Sequence, residues 1–192
     1  MASVAEHLVH QLEGAGVRHI YGIVGDSLNP VVDAVRRSKK IRWIHVRHEE
    51  TAAFAAAAEA EITGQLAVCA GSCGPGNLHL INGLYDANRS HLPVLAIASH
   101  IPTSQIGTGF FQETHPDRIF DECSVFSEMI SSSEQVPRVT RSAIQQALSN
   151  HGVAVLTLPG DIPDMEVSGT LPDTIPNPRP APVDPIQEDD HG

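Results

Sequence analysis

Three stretches of this sequence are apolar at nearly every position, and residues with helical spacing separate each stretch from the next. They are LAVCAG (66–71), VLAIAS (94–99) and VAVLTLP (153–159). A strand is continuously apolar when both of its faces are buried, which is typical of a parallel sheet covered by helices. The pattern therefore predicts an α/β protein with three layers, α/β/α, built around a mostly parallel sheet of about six strands.

Other elements alternate with these strands in the same way. A first helix is predicted from Ser3, because Glu6 lies three residues later and completes a capping box. A short helix is also predicted just after Pro116. The other predicted strands are 19–25, 41–46 and 127–130, and the other predicted helices are 27–38, one that begins near Glu49, 77–89 and about 134–150.

The composition changes after residue 163. The following segment, DMEVSGTLPDTIPNPRPAPVDPIQEDDHG, is rich in proline, ends in acidic residues and has too few apolar side chains to build a core. The sequence therefore predicts one domain at 1–163 and a Pro-rich acidic linker or tail at 164–192. A linker implies a further segment that it joins.

The overall charge excludes one large class of function. The chain has 12 Lys and Arg against 23 Asp and Glu, a formal net charge of -11, and it has no basic stripe interleaved with aromatic residues. Nucleic-acid binding is therefore not expected. No leader peptide or membrane-spanning apolar run is found, and three cysteines do not suit a disulfide framework. These features predict a cytoplasmic protein with reduced thiols.

The loop GSCGPGN (71–77) follows a predicted strand and opens a predicted helix, where open α/β sheets bind ligands. Its glycines do not match the dinucleotide pattern G-x-G-x-x-G, and it lacks the Lys-Ser/Thr ending of a P-loop. The residues themselves leave two interpretations open, a phosphate site and a tight structural turn. Near it, HVRHEE has histidines beside Glu49, but their spacing matches no zinc-protease motif, so no metal ligand is predicted.

Two further stretches have a functional and a structural interpretation. Glu49 and Glu50 stand where a strand gives way to a helix, so each is either a helix-start acid or a catalytic carboxylate. The segment IGTGFFQETHP (106–116) is the longest irregular connection of the predicted core, and such loops often carry function. The alternative is a loop anchored in the core by Phe110 and Phe111.

Several motifs together resemble one enzyme family. They are YGIVGDSLNPVVDAV, RHEETAAFAAAAEAEITGQLAVC, GSCGPGNLHLINGLYDANRSHLPVLAIASHIP and FFQETHP, in order from about residue 3 to 163. In this combination the sequence resembles the N-terminal pyrimidine-binding domain of thiamine-diphosphate-dependent enzymes. The likeness is greatest to bacterial pyruvate oxidase and pyruvate:quinone dehydrogenase, and it implies the thiamine-diphosphate-binding fold.

The resemblance assigns expected roles to residues. Glu49, the acid directly after RH, would share a proton with N1′ of the cofactor's pyrimidine ring and so activate thiazolium C2. Gln112 would donate hydrogen bonds to the reacting oxygens of the substrate, with Phe111 beside it. The residues expected to bind the cofactor are Glu49, the loop residues Gly74, Pro75, Gly76 and Asn77, and the strand-end residues Gly25, Asp26 and Ser27.

One departure from the family is informative. The family holds the diphosphate through Mg²⁺ in a second domain with a G-D-G motif, and no G-D-G occurs in this sequence. A flavin domain is also missing, so FAD and Mg²⁺ would belong to other domains of a parent enzyme. The resemblance thus implies the first domain of a longer, homo-oligomeric enzyme, and the 192-residue chain alone is predicted to be inactive.

The resemblance also sets the expected reaction and its alternatives. The parent would oxidise pyruvate or a related 2-oxo acid to acetate or acetyl phosphate through thiamine diphosphate and FAD. A quinone acceptor would bring it to the membrane periphery through segments absent here. The alternatives are another 2-oxo acid enzyme, such as an acetolactate-synthase-like ligase, and a non-catalytic interaction module with the same fold.

Overall fold

The structure, a computed structural model, describes residues 2–167 and is built on one sheet. Its strands are β1 (His19–Gly22), β2 (Arg42–His45), β3 (Ala67–Gly71), β4 (Val94–His100), β5 (Phe126–Met129) and β6 (Val153–Pro159). All neighbouring strands pair in parallel, and their spatial order is β2-β1-β3-β4-β6-β5. The sheet is therefore entirely parallel, where the sequence predicted a mostly parallel one.

Helices cover both faces of the sheet. They are α1 (Val4–Gly14), α2 (Asn29–Ser38), α3 (Glu49–Thr63), α4 (Pro75–Arg89), α5 (Pro116–Ile119) and α6 (Val136–Asn150). One buried cluster joins α1, α2 and α6 to the sheet, and a second joins α3 and α4 to its other face. The predicted three-layer α/β/α class is thereby confirmed. No helix within residues 2–167 is long and apolar enough to cross a membrane.

The strand order places a reversal point between β1 and β3. After β1 the chain moves to β2 on one side, whereas after β3 it moves to β4 on the other side. The two strands are neighbours in register, with Gly22 beside Ala70 near their carboxyl ends. Ligands of open α/β sheets bind outside the carboxyl ends of the strands at such a reversal. The loops that follow β1, β2 and β3 therefore meet at the expected position of a site.

Local sequence accounts for the elements that were predicted most closely. Every residue of β3, β4 and β6 is buried, as their continuous apolar pattern requires. The capping box at α1 is present, because Ser3 Oγ accepts from Glu6 N at 3.2 Å and Glu6 Oε2 accepts from Ser3 N at 2.9 Å. The three strands were predictable because both of their faces are buried, and the start of α1 was predictable because its cap joins residues only three positions apart.

Several boundaries differ from the prediction by one to three residues, and two of these differences have a clear local cause. The strand predicted at 19–25 ends at Gly22, because the chain turns into a 3₁₀ segment at Asp26–Leu28, where Leu28 N donates to Gly25 O at 2.9 Å. The helix predicted from residue 77 begins at Pro75. Proline fits the first helical position because its missing N–H would have no partner there.

The last described residues lie against the N-terminus. Val4 N donates to Met165 O at 2.9 Å, and Val167 N donates to Ala2 O at 3.1 Å. Residues 164–167 of the predicted linker are thus hydrogen-bonded to the domain. The rest of that linker, 168–192, lies outside the described residues, so its assignment stays a prediction.

Helices α3 and α4 pack unusually closely at Gly83. A Cβ atom built on Gly83 would lie 2.5 Å from Ala53 Cβ and 2.9 Å from Phe54 N. We expect Gly83→Ala to lower the free energy of unfolding by about 1–3 kcal/mol, since overpacking outweighs the better helix propensity of alanine. Urea unfolding of the chain, followed by circular dichroism, measures this change.

The exposed Asp86 on the same helix provides the matched control. Asp86→Ala also introduces alanine into α4 but leaves the helix contact untouched, so its effect should stay within about 0.5 kcal/mol. A Gly83→Ala chain as stable as the wild type would contradict the close approach of the two helices.

Candidate functional site

Two consecutive carboxylates at the start of α3 have different surroundings. Glu49 is the first residue of the helix and is only 8% exposed. Glu50 is partly exposed, and its Oε1 accepts a hydrogen bond from Asn82 Nδ2 at 2.7 Å. A helix-start carboxylate gains from the helix dipole without being buried, so the burial of Glu49 is not explained by capping alone.

A histidine from the neighbouring helix holds one oxygen of Glu49. His79 Nδ1 lies 3.1 Å from Glu49 Oε2, at hydrogen-bonding distance, and reaches it from α4. The His79 ring stacks on His48, with ring centroids 4.3 Å apart, and His48 caps α3 by accepting from Glu50 N. Two histidines thus surround this carboxylate, one adjacent to Glu49 in sequence and one thirty positions away.

The glycine loop faces the other oxygen of Glu49. A Cβ atom built on Gly76 would lie 3.3 Å from Glu49 Oε1, so glycine keeps space open beside this atom. Within residues 2–167, no hydrogen bond involves Glu49 Oε1. The carboxylate therefore has one oxygen held by His79 and one that faces Gly76 and has no hydrogen-bond partner among the described residues.

The other predicted loop residues have identifiable contacts. Gly74 adopts φ +67°, and Pro75 is the first residue of α4. Asn77 is fully buried, and its Nδ2 donates to Ser99 O at 2.6 Å, which ties the start of α4 to the end of β4. This bond fixes the loop, while the predicted role of Asn77 in cofactor binding stays a prediction.

The residues that follow β1 pack against the same loop. A Cβ on Gly25 would lie 2.5 Å from Ser72 Oγ, so the close approach of these segments requires glycine. Ser27 Oγ lies 2.9 Å from Ser72 Oγ and accepts from Cys73 N at 3.2 Å. Asp26 begins the 3₁₀ turn. The structure thus brings the predicted residues Gly25, Asp26 and Ser27 to the glycine loop.

A cavity of about 350 Å³ lies next to this loop. Among its lining residues are four of the predicted site residues, namely Asp26, Ser27, Phe111 and Gln112. Phe111 is 80% exposed and Phe110 is about half exposed, so the alternative in which both rings anchor the loop in the core is wrong. Because both rings are exposed, the loop keeps its other interpretation, a role in function.

Sequence reasoning missed three residues of this region. Cys73 Sγ lies 3.4 Å from Gln112 Oε1 and donates to it, and both residues line the cavity. His100 also lines it, is 2% exposed, and its Nδ1 has no hydrogen-bond partner within the described part of the chain. Burial holds the pKa of His100 below its ordinary value. The third is His79, and no motif or spacing links it to Glu49.

His48, Glu49 and His79 form a group whose potential metal-ligating atoms lie within 4.8 Å of one another. The motif HVRHEE holds His45 as well as His48, but His45 is the last residue of β2 and does not belong to this group. The hydrogen bond between His79 and Glu49 accounts for this grouping without a cation. The prediction that the chain supplies no metal ligand stays a prediction.

A buried carboxylate and a glycine loop at the reversal point of a parallel sheet are typical of α/β domains that bind a ligand at this position. Residues 2–120 match the family model described as thiamine pyrophosphate enzyme, N-terminal TPP binding domain. The chain belongs to this family, and the resemblance found in the sequence is confirmed.

Known relatives match a larger part of the chain than the family model does. An uncharacterized 42.6 kDa protein of Pseudomonas amyloderamosa is 62% identical over 159 residues, 83% of this chain and 40% of that protein. Pyruvate oxidase of Lactiplantibacillus plantarum is 40% identical over 161 residues, 83% of this chain and 27% of the oxidase. Acetolactate synthase of Mycobacterium bovis is 36% identical over 186 residues, 91% of this chain and 30% of the synthase. The chain spans less than half the length of each.

Proposed function

We propose that this chain is the pyrimidine-binding domain of a longer enzyme that uses thiamine diphosphate and FAD to oxidise pyruvate. The observation that carries the proposal is the buried carboxylate of Glu49, with His79 on one oxygen and the space beside Gly76 at the other. Similarity to pyruvate oxidase over 83% of the chain supports the choice of reaction.

The residues present fit the pyrimidine half of the cofactor. Glu49 Oε1 is free to share a proton with the ring nitrogen N1′, and Gly76, which has no side chain, would let the ring approach the backbone beside this oxygen. Gly74, with φ +67°, and Pro75, at the start of α4, would shape the same loop. Thiamine diphosphate, when bound, supplies a thiazolium carbon that adds to the carbonyl of a 2-oxo acid and takes up the electrons released with carbon dioxide.

The cavity beside the glycine loop fits the substrate end of the site. Gln112 lines it and carries an amide that can donate to the oxygens of a 2-oxo acid, while Phe111 supplies an apolar wall. Asp26 and Ser27 border it on the side of β1. These residues would orient the substrate, and they would leave the electron transfer to the cofactors.

The wider assignment is part of the same proposal. Mg²⁺ and FAD would be held by other domains of the parent chain, which would work as a homo-oligomer in the cytoplasm, with a quinone as one candidate acceptor at the membrane. The domain boundary at 163, with a linker over 164–192, belongs to the proposal too. The isolated chain would then lack the groups that hold the diphosphate and would be inactive.

The experiment uses the complete native polypeptide that contains this domain, purified with an antibody to residues 2–167. With thiamine diphosphate and Mg²⁺ under anaerobic conditions, pyruvate should bleach the flavin absorption without forming acetolactate. The 192-residue chain, given the same additions, should release no carbon dioxide from labelled pyruvate.

A second candidate function has its own observation, since acetolactate synthase of Mycobacterium bovis matches 91% of the chain. Formation of acetolactate by the complete polypeptide would establish that alternative and overturn the oxidase. The absence of both reactions, together with no binding of thiamine diphosphate, would favour a non-catalytic interaction module with this fold.

A further inference from the structure

The carboxylate of Glu113 closes the loop that precedes it. Its Oε1 accepts from Gly107 N, and its Oε2 accepts from Gly109 N at 2.7 Å and from Phe110 N at 3.1 Å. The Glu113 backbone N–H donates to Phe110 O at 2.9 Å. Hydrogen bonds from these amides, that of Gly107 above all, hold the pKa of the Glu113 carboxyl below its ordinary value. One partly exposed side chain thus binds three backbone N–H groups.

Two residues of this loop are glycine because of their backbone conformation, and not because a side chain would clash with a neighbour. Gly107 has φ +85° and Gly109 has φ +71°, and a Cβ atom on either would meet no atom within 4 Å. Successive turns through the left-handed region point backbone N–H groups to a common centre, which makes a concave anion site. In this protein the anion is the chain's own carboxylate.

The residue next to Glu113 is under a special constraint. Gln112 has φ +67°, a left-handed conformation that a residue with a side chain seldom adopts. Its backbone packs on the glycine loop, because a Cβ on Gly74 would lie 2.9 Å from Gln112 O. Its side-chain Oε1 accepts from Cys73 Sγ. Such a conformation persists only when the surroundings fix it from more than one side.

We propose that Glu113 is a positioning residue for the substrate end of the site. Its carboxylate keeps the loop over residues 107–113 closed, which holds Gln112 in the conformation that places it in the wall of the cavity. Glu113 does not itself line that cavity, so it acts only through its neighbour. The role of Gln112 toward a 2-oxo acid rests on the proposed function, whereas the hold of Glu113 on the loop does not.

Cys73 provides a direct readout of this hold. It is buried, and Gln112 covers it by contact with its sulfur. In Glu113→Gln the side chain keeps its size, but its NH₂ group faces backbone donors and cannot accept from them. We expect iodoacetamide to label Cys73 about tenfold faster in this variant, as loss of a charge-assisted hydrogen bond implies.

The other two thiols separate positioning from general destabilisation. Cys69 and Cys123 are fully buried, and burial raises the pKa of their thiols to about 12 and about 11. Their labelling should not change, and Glu61→Gln, at an exposed acid of α3, should leave all three rates unchanged. An unchanged Cys73 rate in Glu113→Gln would overturn the proposal, and so would equal acceleration of all three thiols.

The complete enzyme distinguishes this inference from the proposed function. There, Glu113→Gln should raise KM for pyruvate about tenfold, by the loss of hydrogen bonds from a displaced Gln112, while the C2 proton exchange of the cofactor stays unchanged. Faster labelling of Cys73 with an unchanged KM would support the positioning of Gln112 and would overturn its assignment to the substrate.

Discussion

Glu49→Gln in the complete enzyme should slow exchange of the cofactor's C2 proton by about 10²–10⁴-fold, the usual contribution of a positioned acid or base. Glutamine has nearly the same shape and can still accept from His79, but it cannot carry the proton that Glu49 would share with N1′. The measurement is the loss of the C2 proton signal in D₂O, by quenched-flow NMR of bound thiamine diphosphate.

Glu50→Gln is the matched control for this prediction. Glu50 stands next in sequence but is partly exposed, and its contact is to Asn82 on the surface. Its variant should exchange the C2 proton within about twofold of the wild type, as expected for a surface substitution outside the site. Urea unfolding should show that both variants keep the fold. An unchanged rate in folded Glu49→Gln would remove Glu49 from the proposed role.

The sequence predicted most of the sheet because its signals are local. Strands β3, β4 and β6 lie within one residue of the predicted runs, since burial on both faces makes each run continuously apolar. The spatial order of the strands was not predicted. It depends on pairings such as β4 with β6, whose residues are about sixty positions apart in sequence, and no local pattern encodes them.

The candidate site was predictable where a family motif identified a residue. Glu49 and Gln112 were named from their motifs. Glu49 lies beside Gly76 of the glycine loop, and Gln112 lines the adjacent cavity. His79 was missed because its contact with Glu49 depends on how the first turns of α3 and α4 meet. Glu113 was missed although its signal is local: two glycines precede an acid by four and six residues, and this spacing permits a closed loop.

Phe120→Ala should lower the free energy of unfolding by about 3–5 kcal/mol, the range for a buried phenylalanine. Phe120 follows α5, is 0% exposed, and belongs to the cluster that joins α3 and α4 to the sheet, with Leu80 and Leu84 among its members. Alanine would leave a cavity that this close-packed layer cannot fill. Urea unfolding followed by circular dichroism measures the loss.

A loss of this size approaches the whole stability of many domains, so Phe120→Ala alone could fail to fold. Phe120→Leu keeps the prediction testable, because leucine fills most of the space and should cost no more than about 1.5 kcal/mol. Phe111→Ala makes the same change at a side chain that is 80% exposed and should shift stability by less than about 0.5 kcal/mol.

A comparison of the Phe120 and Phe111 variants therefore distinguishes a role in stability from a role in substrate binding. If Phe111→Ala cost as much stability as Phe120→Ala, the loop would be a packed part of the core, and its exposed ring would no longer support a substrate site. We expect instead that Phe111→Ala costs far less stability than Phe120→Ala. In the complete enzyme, Phe111→Ala should raise KM for pyruvate while stability is kept, because the Phe111 ring borders the cavity and is 80% exposed.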